Sequence, residues 1–586
     1  MHRTPPRDCV LILEQNVQAH KQIDSEEDVI TEISPLTRLL EANEDFERIR
    51  IWSLSREQAY RTAAELCDGT CDGELCAQPH RVGSGPQNFA SAPPSLPISL
   101  EVVPLLVSGP SSNRVDLVFF GDGYTESQRA LFLADSKRLA GDIAQNQTMS
   151  SVRPLLNFWA AFSPSKESGV GVGGNPKNTT FGLYRDGTEL RALYCSKKKL
   201  ARAACRSLGD ACDYPILLGN DPLYGGLGGE FTISTSSIEN GPLVLRHELG
   251  HSILRVGEEY DGGFAYYGYN AEPDLSAPPK WSHWLTDELQ LGETPRAERS
   301  VMPIQAYPWT LLQKNSPYFA SFESSGRYAR HLLRFSISGV PHQEGLTVEF
   351  DGEDIGWQPK KGIGYDRWHY DFLRNRSLSG GNHTLSFNLS DSGDESVAQL
   401  CSFEVIEYGT EKEFNSTLGH VGAYPTFSLK NETSFRPTND GCLMRSVTLP
   451  NFCSPCLEGL WLSLLRRVDL IDEVTLKCVP SKHSESSLLE IALDLVPLAH
   501  LREDAHESWK YSAEAYVIHW ELNGIRQEGW DNSTVIQIPE NAMKGVGEFE
   551  EGSVGVHVQF LTPEVRRDVK QLLQAWRTVR WHGPCT

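Results

Sequence analysis

His247-Glu-Leu-Gly-His251-Ser-Ile-Leu-Arg-Val-Gly-Glu-Glu-Tyr-Asp261 decides how the rest of this chain is read. Its first five residues are an H-E-x-x-H. Residues four apart share one face of a helix, so His247 and His251 can present two imidazole nitrogens to one metal ion. Glu248 then lies beside the metal, where a carboxylate can take a proton from water. Zinc is the expected ion, because it favours tetrahedral sites built from imidazole and carboxylate. Chance alone places such a pentapeptide in roughly one chain in thirty of this length, so the flanks matter. Asn240-Gly241-Pro242 is a helix start, with proline pre-set for the first turn. Leu245, Leu249 and Val256 recur at helical spacing and predict a buried stripe. Gly257 predicts the helix stop. Were the helix to run on, Glu258 would sit about 10 Å along the axis from His251, too far to share its metal. A break at Gly257 lets the chain double back and bring Glu258 or Glu259 to the zinc as third ligand, with Glu258 favoured. The fourth position then stays open for water, as catalytic zinc requires.

Working outward, the chain has 586 residues and a formal net charge of −23. That length implies several domains. The charge argues against nucleic acid or an anionic membrane as main partner. No apolar run reaches the roughly 18 residues a membrane-spanning helix needs. The start, Met1 to Pro6, leads into a short apolar run, Cys9 to Leu13, which does not read as a signal peptide. Thirteen cysteines nevertheless point to an oxidising compartment. Eight N-x-S/T sequons (Asn146, Asn178, Asn375, Asn382, Asn388, Asn415, Asn431 and Asn532) point the same way. A secreted glycoprotein is the expectation.

Residues 1–97 form an N-terminal region of unassigned role that ends in a Pro/Ser/Gly-rich linker, Gly83 to Pro97. Glu41 to Cys67 has helix-forming composition, and Cys67, Cys71 and Cys76 cluster as disulfide candidates. Residues 98–290 alternate strands with helices. Arg114 to Phe120, Asn157 to Ser163 and Pro215 to Leu218 read as strands, and Thr125 with Gln128 as a capping box opening a helix. This pattern predicts an α/β layer. The glycine run Tyr224 to Gly229 leads into Phe231-Thr-Ile-Ser234, a candidate edge strand for a bound peptide. Residues 291–410 alternate apolar and polar residues between turns and predict an inserted β-sandwich. Residues 411–465 return to mixed character and contain Cys453-Ser-Pro-Cys456, which lacks the second pair a metal site wants and suits a redox or structural disulfide as well. Residues 466–586 predict a C-terminal Ig-like β domain ending in a helix from Thr562 to about Val579.

Four blocks in order, Arg114-Val-Asp-Leu-Val-Phe-Phe-Gly-Asp-Gly-Tyr124, Asn220-Asp-Pro-Leu-Tyr-Gly-Gly226, His247-Glu-Leu-Gly-His251 with Glu258-Glu-Tyr260, and Arg436-Pro with Cys442-Leu-Met-Arg445, resemble the IgA-peptidase family. These igalysins are metzincin-like zinc endopeptidases, and the resemblance covers roughly residues 98–290 and 411–465. It implies a metzincin-like catalytic domain, a twisted sheet plus an active-site helix. It also implies zinc on His247 and His251, Glu248 as general base, a third ligand from the acidic pair and Met444 as the methionine floor beneath the metal. Many members carry Asp-Glu where this chain has Glu258-Glu259, and the inserted β region is longer than in compact members. The expected function is a zinc-dependent endopeptidase in which Glu248 activates a metal-bound water against protein or peptide substrates. The alternative is a catalytically inactive secreted adhesion or carbohydrate-binding protein on the same scaffold, with a glycan contact through the inserted sandwich.

Overall fold

The computed structural model describes residues 9–15, 39–43, 46–53 and 98–582, apart from 146, 255, 263–266, 291–292, 429, 431, 481–486, 503–512 and 540–550. The chain divides into two units, Met1–Ser95 and Leu96–Thr586. In the first, Phe46–Ser53 pairs in parallel with Cys9–Gln15 and antiparallel with Leu39–Asn43. The helix expected from Glu41 therefore begins as strand. Phe46 and the Ile49-Arg50-Ile51 alternation carry a period of two, and pairing with neighbours outweighs the helical composition. The Cys67, Cys71 and Cys76 cluster lies outside the described residues.

The second unit is built on a six-stranded mixed sheet: β1 (Glu101–Leu106), β2 (Val115–Asp122), β3 (Leu156–Phe162), β4 (Tyr214–Gly219), β5 (Gly226–Leu227) and β6 (Thr232–Thr235). Their spatial order is β5-β6-β4-β2-β3-β1. The inner strands run parallel, and β5 and β1 are antiparallel edges. β2 is buried along its whole length because both faces are covered. Val115, Leu117 and Phe119 join a core with Phe132, Leu139 and Ile143 of helix α1 (Arg129–Gln145), whereas Val118 and Phe120 pack on the opposite side with Phe181 and Leu193. The expected capping box is present: the Thr125 amide donates to Gln128 Oε1 at 3.1 Å.

Helix α2 (Gly241–Leu249) carries His247 and Glu248 and begins at Asn240 with Pro242 in its first turn, and His251 follows on the π turn that continues it. Leu245 and Leu249 face the sheet as the stripe predicts. The helix ends before Gly257, through a wider π turn over Gly250–Leu254. The expected edge strand is also corrected. Most of that stretch, Phe231 to Ser234, lies inside the sheet as β6, with Ile233 and Ser234 paired on both sides, and the edge is Gly226–Leu227 of the glycine run as β5. Two glycines at 228 and 229 let that run fold back as a hairpin onto β6.

Between these parts and the Cys442 block lie two facing sheets. One contains Ser300–Ala306, Gln399–Tyr408, Arg330–Ser338 and Trp368–Arg374, and the other Tyr318–Ser324, Gly381–Leu389, Leu346–Phe350 and Glu353–Asp354. Phe335, Phe387, Phe403 and Val348 fill the space between them. Helix α3 (Ser454–Leu465) follows the Cys442 block and is buried on most of its faces. Beyond it a three-stranded and a four-stranded sheet share one continuous core with α3 and the six-stranded sheet, through Trp461, Trp520 and Phe560. The helix expected from Thr562 to about Val579 does not form: residues 562–573 are turns and irregular chain, and Gln574–His582 is a strand paired with Glu551–Leu561. The run Lys570-Gln571-Leu572-Leu573 just before it favours helix locally. Alternation through Ala575, Arg577 and Val579 satisfies a sheet edge, and that long-range pairing prevails.

Candidate active site

Three donor atoms converge where α2 ends. His247 Nε2 and His251 Nε2 are 3.2 Å apart, and the Glu258 carboxylate bridges them at 3.1 Å and 3.0 Å. A tetrahedral ion with bonds of about 2.0–2.1 Å separates its ligand atoms by about 3.3–3.4 Å, so this triangle fits one metal. The other ring nitrogens fix the tautomers. His247 Nδ1 lies 3.1 Å from the Leu443 carbonyl and His251 Nδ1 lies 2.8 Å from the Val256 carbonyl. A carbonyl can only accept, so each Nδ1 carries the proton and each Nε2 turns a lone pair to the shared point. Two lone pairs facing each other need a cation between them. In the metal-free protein protons play that part. Burial disfavours charge on His251, yet the Glu258 carboxylate outweighs it and raises this histidine to about 9. The same pairing overcomes burial at Glu258 and holds its carboxyl well below the usual range.

Glu259 takes no part in this triangle. Its amide donates to the Met444 carbonyl at 3.0 Å and its Oε1 accepts from Asn270 at 2.8 Å, so the side chain points into the interior. Glu248 stands beside the imidazoles. Burial pushes its carboxyl up, with His247 and His251 pulling down, which moves a base toward neutral pH. The glycine edge lies against it: a Cβ on Gly228 would come within 2.9 Å of Glu248 Oε2 and 2.8 Å of His251 Cβ. Met444 is fully buried beneath the π turn, where a Cβ on Gly250 would meet its sulfur at 2.7 Å. Glycine at 250 is what lets the helix settle on this methionine.

The structure also brings in residues that the motif did not announce. Arg445 forms an ion pair with Asp261 at 2.7 Å and donates to the Glu259 carbonyl at 3.0 Å, bracing the turn that carries Glu258. From the inserted sandwich, Asp366 accepts from the Tyr224 amide at 2.5 Å and from Asn240 at 2.8 Å, and the Arg367 guanidinium lies 4.9 Å from the Tyr224 ring centroid. His369 follows on the same segment. Burial, then the charges of Arg367, Arg334 and His247, keep it neutral by lowering its pKa well below the ordinary value. Burial and the carboxylates of Glu248 and Glu258 push the Tyr224 hydroxyl up to about 12, against the pull of Arg367, so it stays a donor. The only sequence sign is the charged pair Asp366-Arg367 just ahead of Trp368-His369, where an otherwise alternating strand opens.

Among solved structures, a ruminal GH26 endo-β-1,4-mannanase is 17% identical over 18% of this chain and 21% of its own, with a TM-score of 0.13. A cycloisomaltooligosaccharide glucanotransferase of Paenibacillus sp., complexed with cycloisomaltoheptaose, is 8% identical over 63% of this chain and 51% of its own, with a TM-score of 0.12. The chain thus spans about a fifth of the mannanase and about half of the transferase, and neither likeness carries a structural argument. No curated protein matches. Residues 103–302, which hold the sheet, α2, both imidazoles, Glu248 and the acidic pair, match the family IgA Peptidase M64. That segment, about a third of the chain, is similar to the IgA-peptidase family M64, a family of metallopeptidases.

Proposed function

We propose that the chain is a zinc-dependent endopeptidase, secreted, that hydrolyses peptide bonds of protein substrates. The observation that carries this reading is the triangle of His247, His251 and Glu258 with both Nδ1 atoms tied to carbonyls and Glu248 alongside. His247, His251 and Glu258 would hold the ion, leaving a fourth position open, and Met444 would be the floor of a metzincin-like site. When bound, zinc supplies Lewis acidity, lowering the pKa of water and polarising a carbonyl. Glu248 accepts the proton of the attacking water and returns it to the departing amine. An extended peptide would lie along the glycine edge. The Gly226 amide already donates to the Arg191 carbonyl at 3.2 Å, so main-chain pairing would begin beyond it, at 227–229. Tyr224 and His369 offer neutral polar groups toward the same cleft, and the inserted sandwich is read as a wall of that cleft rather than a glycan-binding module.

The test is peptide-library cleavage with chelator controls. Glu248→Gln is expected to keep its zinc and lose activity by about 10²–10⁴-fold, whereas His247→Ala loses metal and activity together. Cleavage that survives complete zinc removal, or full activity in Glu248→Gln, overturns the reading.

A further inference from the structure

A second group of donors lies behind the first, on the far side of the acidic turn. Cys442, Cys453, Cys456 and Glu259 are all buried, and one ligand atom from each lies within 4.8 Å of every other. The Cys442 and Cys456 sulfurs are 3.9 Å apart, and the Cys456 sulfur is 3.7 Å from Glu259 Oε1. A tetrahedral zinc with bonds of about 2.3 Å to sulfur and about 2.0–2.2 Å to oxygen separates two sulfurs by about 3.8 Å, and sulfur from oxygen by about 3.5–3.7 Å. Glu259 Oε2 is buried without a hydrogen-bond partner, a cost that an ion would remove. The local folding suits this task. Cys453 stands at the N-cap of α3 and Cys456 in its first turn, and the Cys453 amide donates to the Cys442 sulfur at 3.4 Å.

We propose that Cys442, Cys453, Cys456 and Glu259 form a second zinc site, closed by four protein ligands and therefore structural. Binding would release the thiol protons to solvent as the sulfurs take the ion. The site's position says what it holds. Cys442 precedes Leu443, whose carbonyl orients His247, and Glu259 follows Glu258, the carboxylate between the imidazoles. An ion gripping Cys442 and Glu259 would clamp both supports of the first site to α3. The second site stands on its own donors and does not depend on the first one binding zinc.

The full-length chain is expected to contain two zinc ions per molecule. With cobalt substituted, it should show sulfur-to-cobalt charge-transfer absorption, and that band should persist in a His247→Ala/Glu258→Ala double variant holding one ion. Cys456→Ser should lose the band and one equivalent of metal. Because that variant can fail to fold, wild-type protein is also alkylated and mapped by mass spectrometry. Cys442, Cys453 and Cys456 should resist modification until a strong chelator is added, and then all three should react. A disulfide between any two of them overturns the proposal, as does a chain with no sulfur-to-cobalt band. Failure of the peptidase reading would show instead as missing cleavage with this band intact.

Discussion

Exchanging Glu258 and Glu259 separately gives opposite results if the triangle is read correctly. Glu258→Ala removes one of three donors. Zinc held by four protein ligands is bound with about 10–16 kcal/mol of apparent free energy, or about 2.5–4 kcal/mol per ligand. Losing Glu258 should therefore weaken zinc binding by about 10²–10³-fold. Protons complicate the comparison, since zinc must displace the one that Glu258 helps hold on His251. Burial opposes that proton, Glu258 outweighs it, and the histidine sits at about 9. Competition with a chromophoric chelator is therefore run at pH 9 and above, where this cost is small, and repeated at pH 7, where wild-type affinity should be lower. Glu259→Gln should leave affinity at the first site within about threefold, since its side chain bonds Asn270 and not the imidazoles. Comparable affinity at the first site in Glu258→Ala and wild type, with a steep loss at that same site in Glu259→Gln and not only of the cysteine-held ion, would refute the assignment.

Other parts of the fold make their own predictions. In Gly228→Ala, the new Cβ meets His251 Cβ at 2.8 Å and Glu248 Oε2 at 2.9 Å. It should cost about 1–3 kcal/mol and lower kcat, seen by thermal unfolding and steady-state cleavage; unchanged values in both would contradict the close approach. Arg445→Met strands the buried Asp261 carboxylate and should destabilise the chain by about 3–5 kcal/mol in denaturant unfolding. Glu458 contributes to acid stability. Burial works to raise it, but hydrogen bonds from His283, Trp284 and the amides of Arg567 and Arg566 hold it below the usual value. A carboxyl depressed by folding stabilises above its unfolded pKa of about 4.3 and loses that contribution as pH falls through the folded value. The stability gap between wild type and Glu458→Gln should hold from neutral pH to about 5 and narrow below about 4; a gap independent of pH would rule the carboxylate out.

The H-E-x-x-H was legible because its geometry is local: four residues make about one helical turn, so His247 at the end of α2 and His251 on the π turn that continues it share a face. The buried β2 run was legible for a similar reason, since an apolar stretch of that length suits a strand covered on both sides. Where local preference and long-range pairing disagreed, pairing prevailed, as at Phe46–Ser53 and Gln574–His582. The glycine run showed the same limit, because only its hairpin onto β6 made it the sheet edge. Sequence alone favoured Glu258 over Glu259 only narrowly, since the two side chains are chemically the same. They are adjacent in a non-helical segment, and neighbours there face opposite ways, so one must leave the imidazoles. What chose between them is Met444, whose carbonyl takes the Glu259 amide and turns that side chain toward Asn270 and the cysteines. Likewise Leu443, 196 residues beyond His247, fixes its tautomer through a backbone oxygen that carries no side-chain signature. The sequence determined which atoms could bind a metal; contacts between distant segments decided which of them meet.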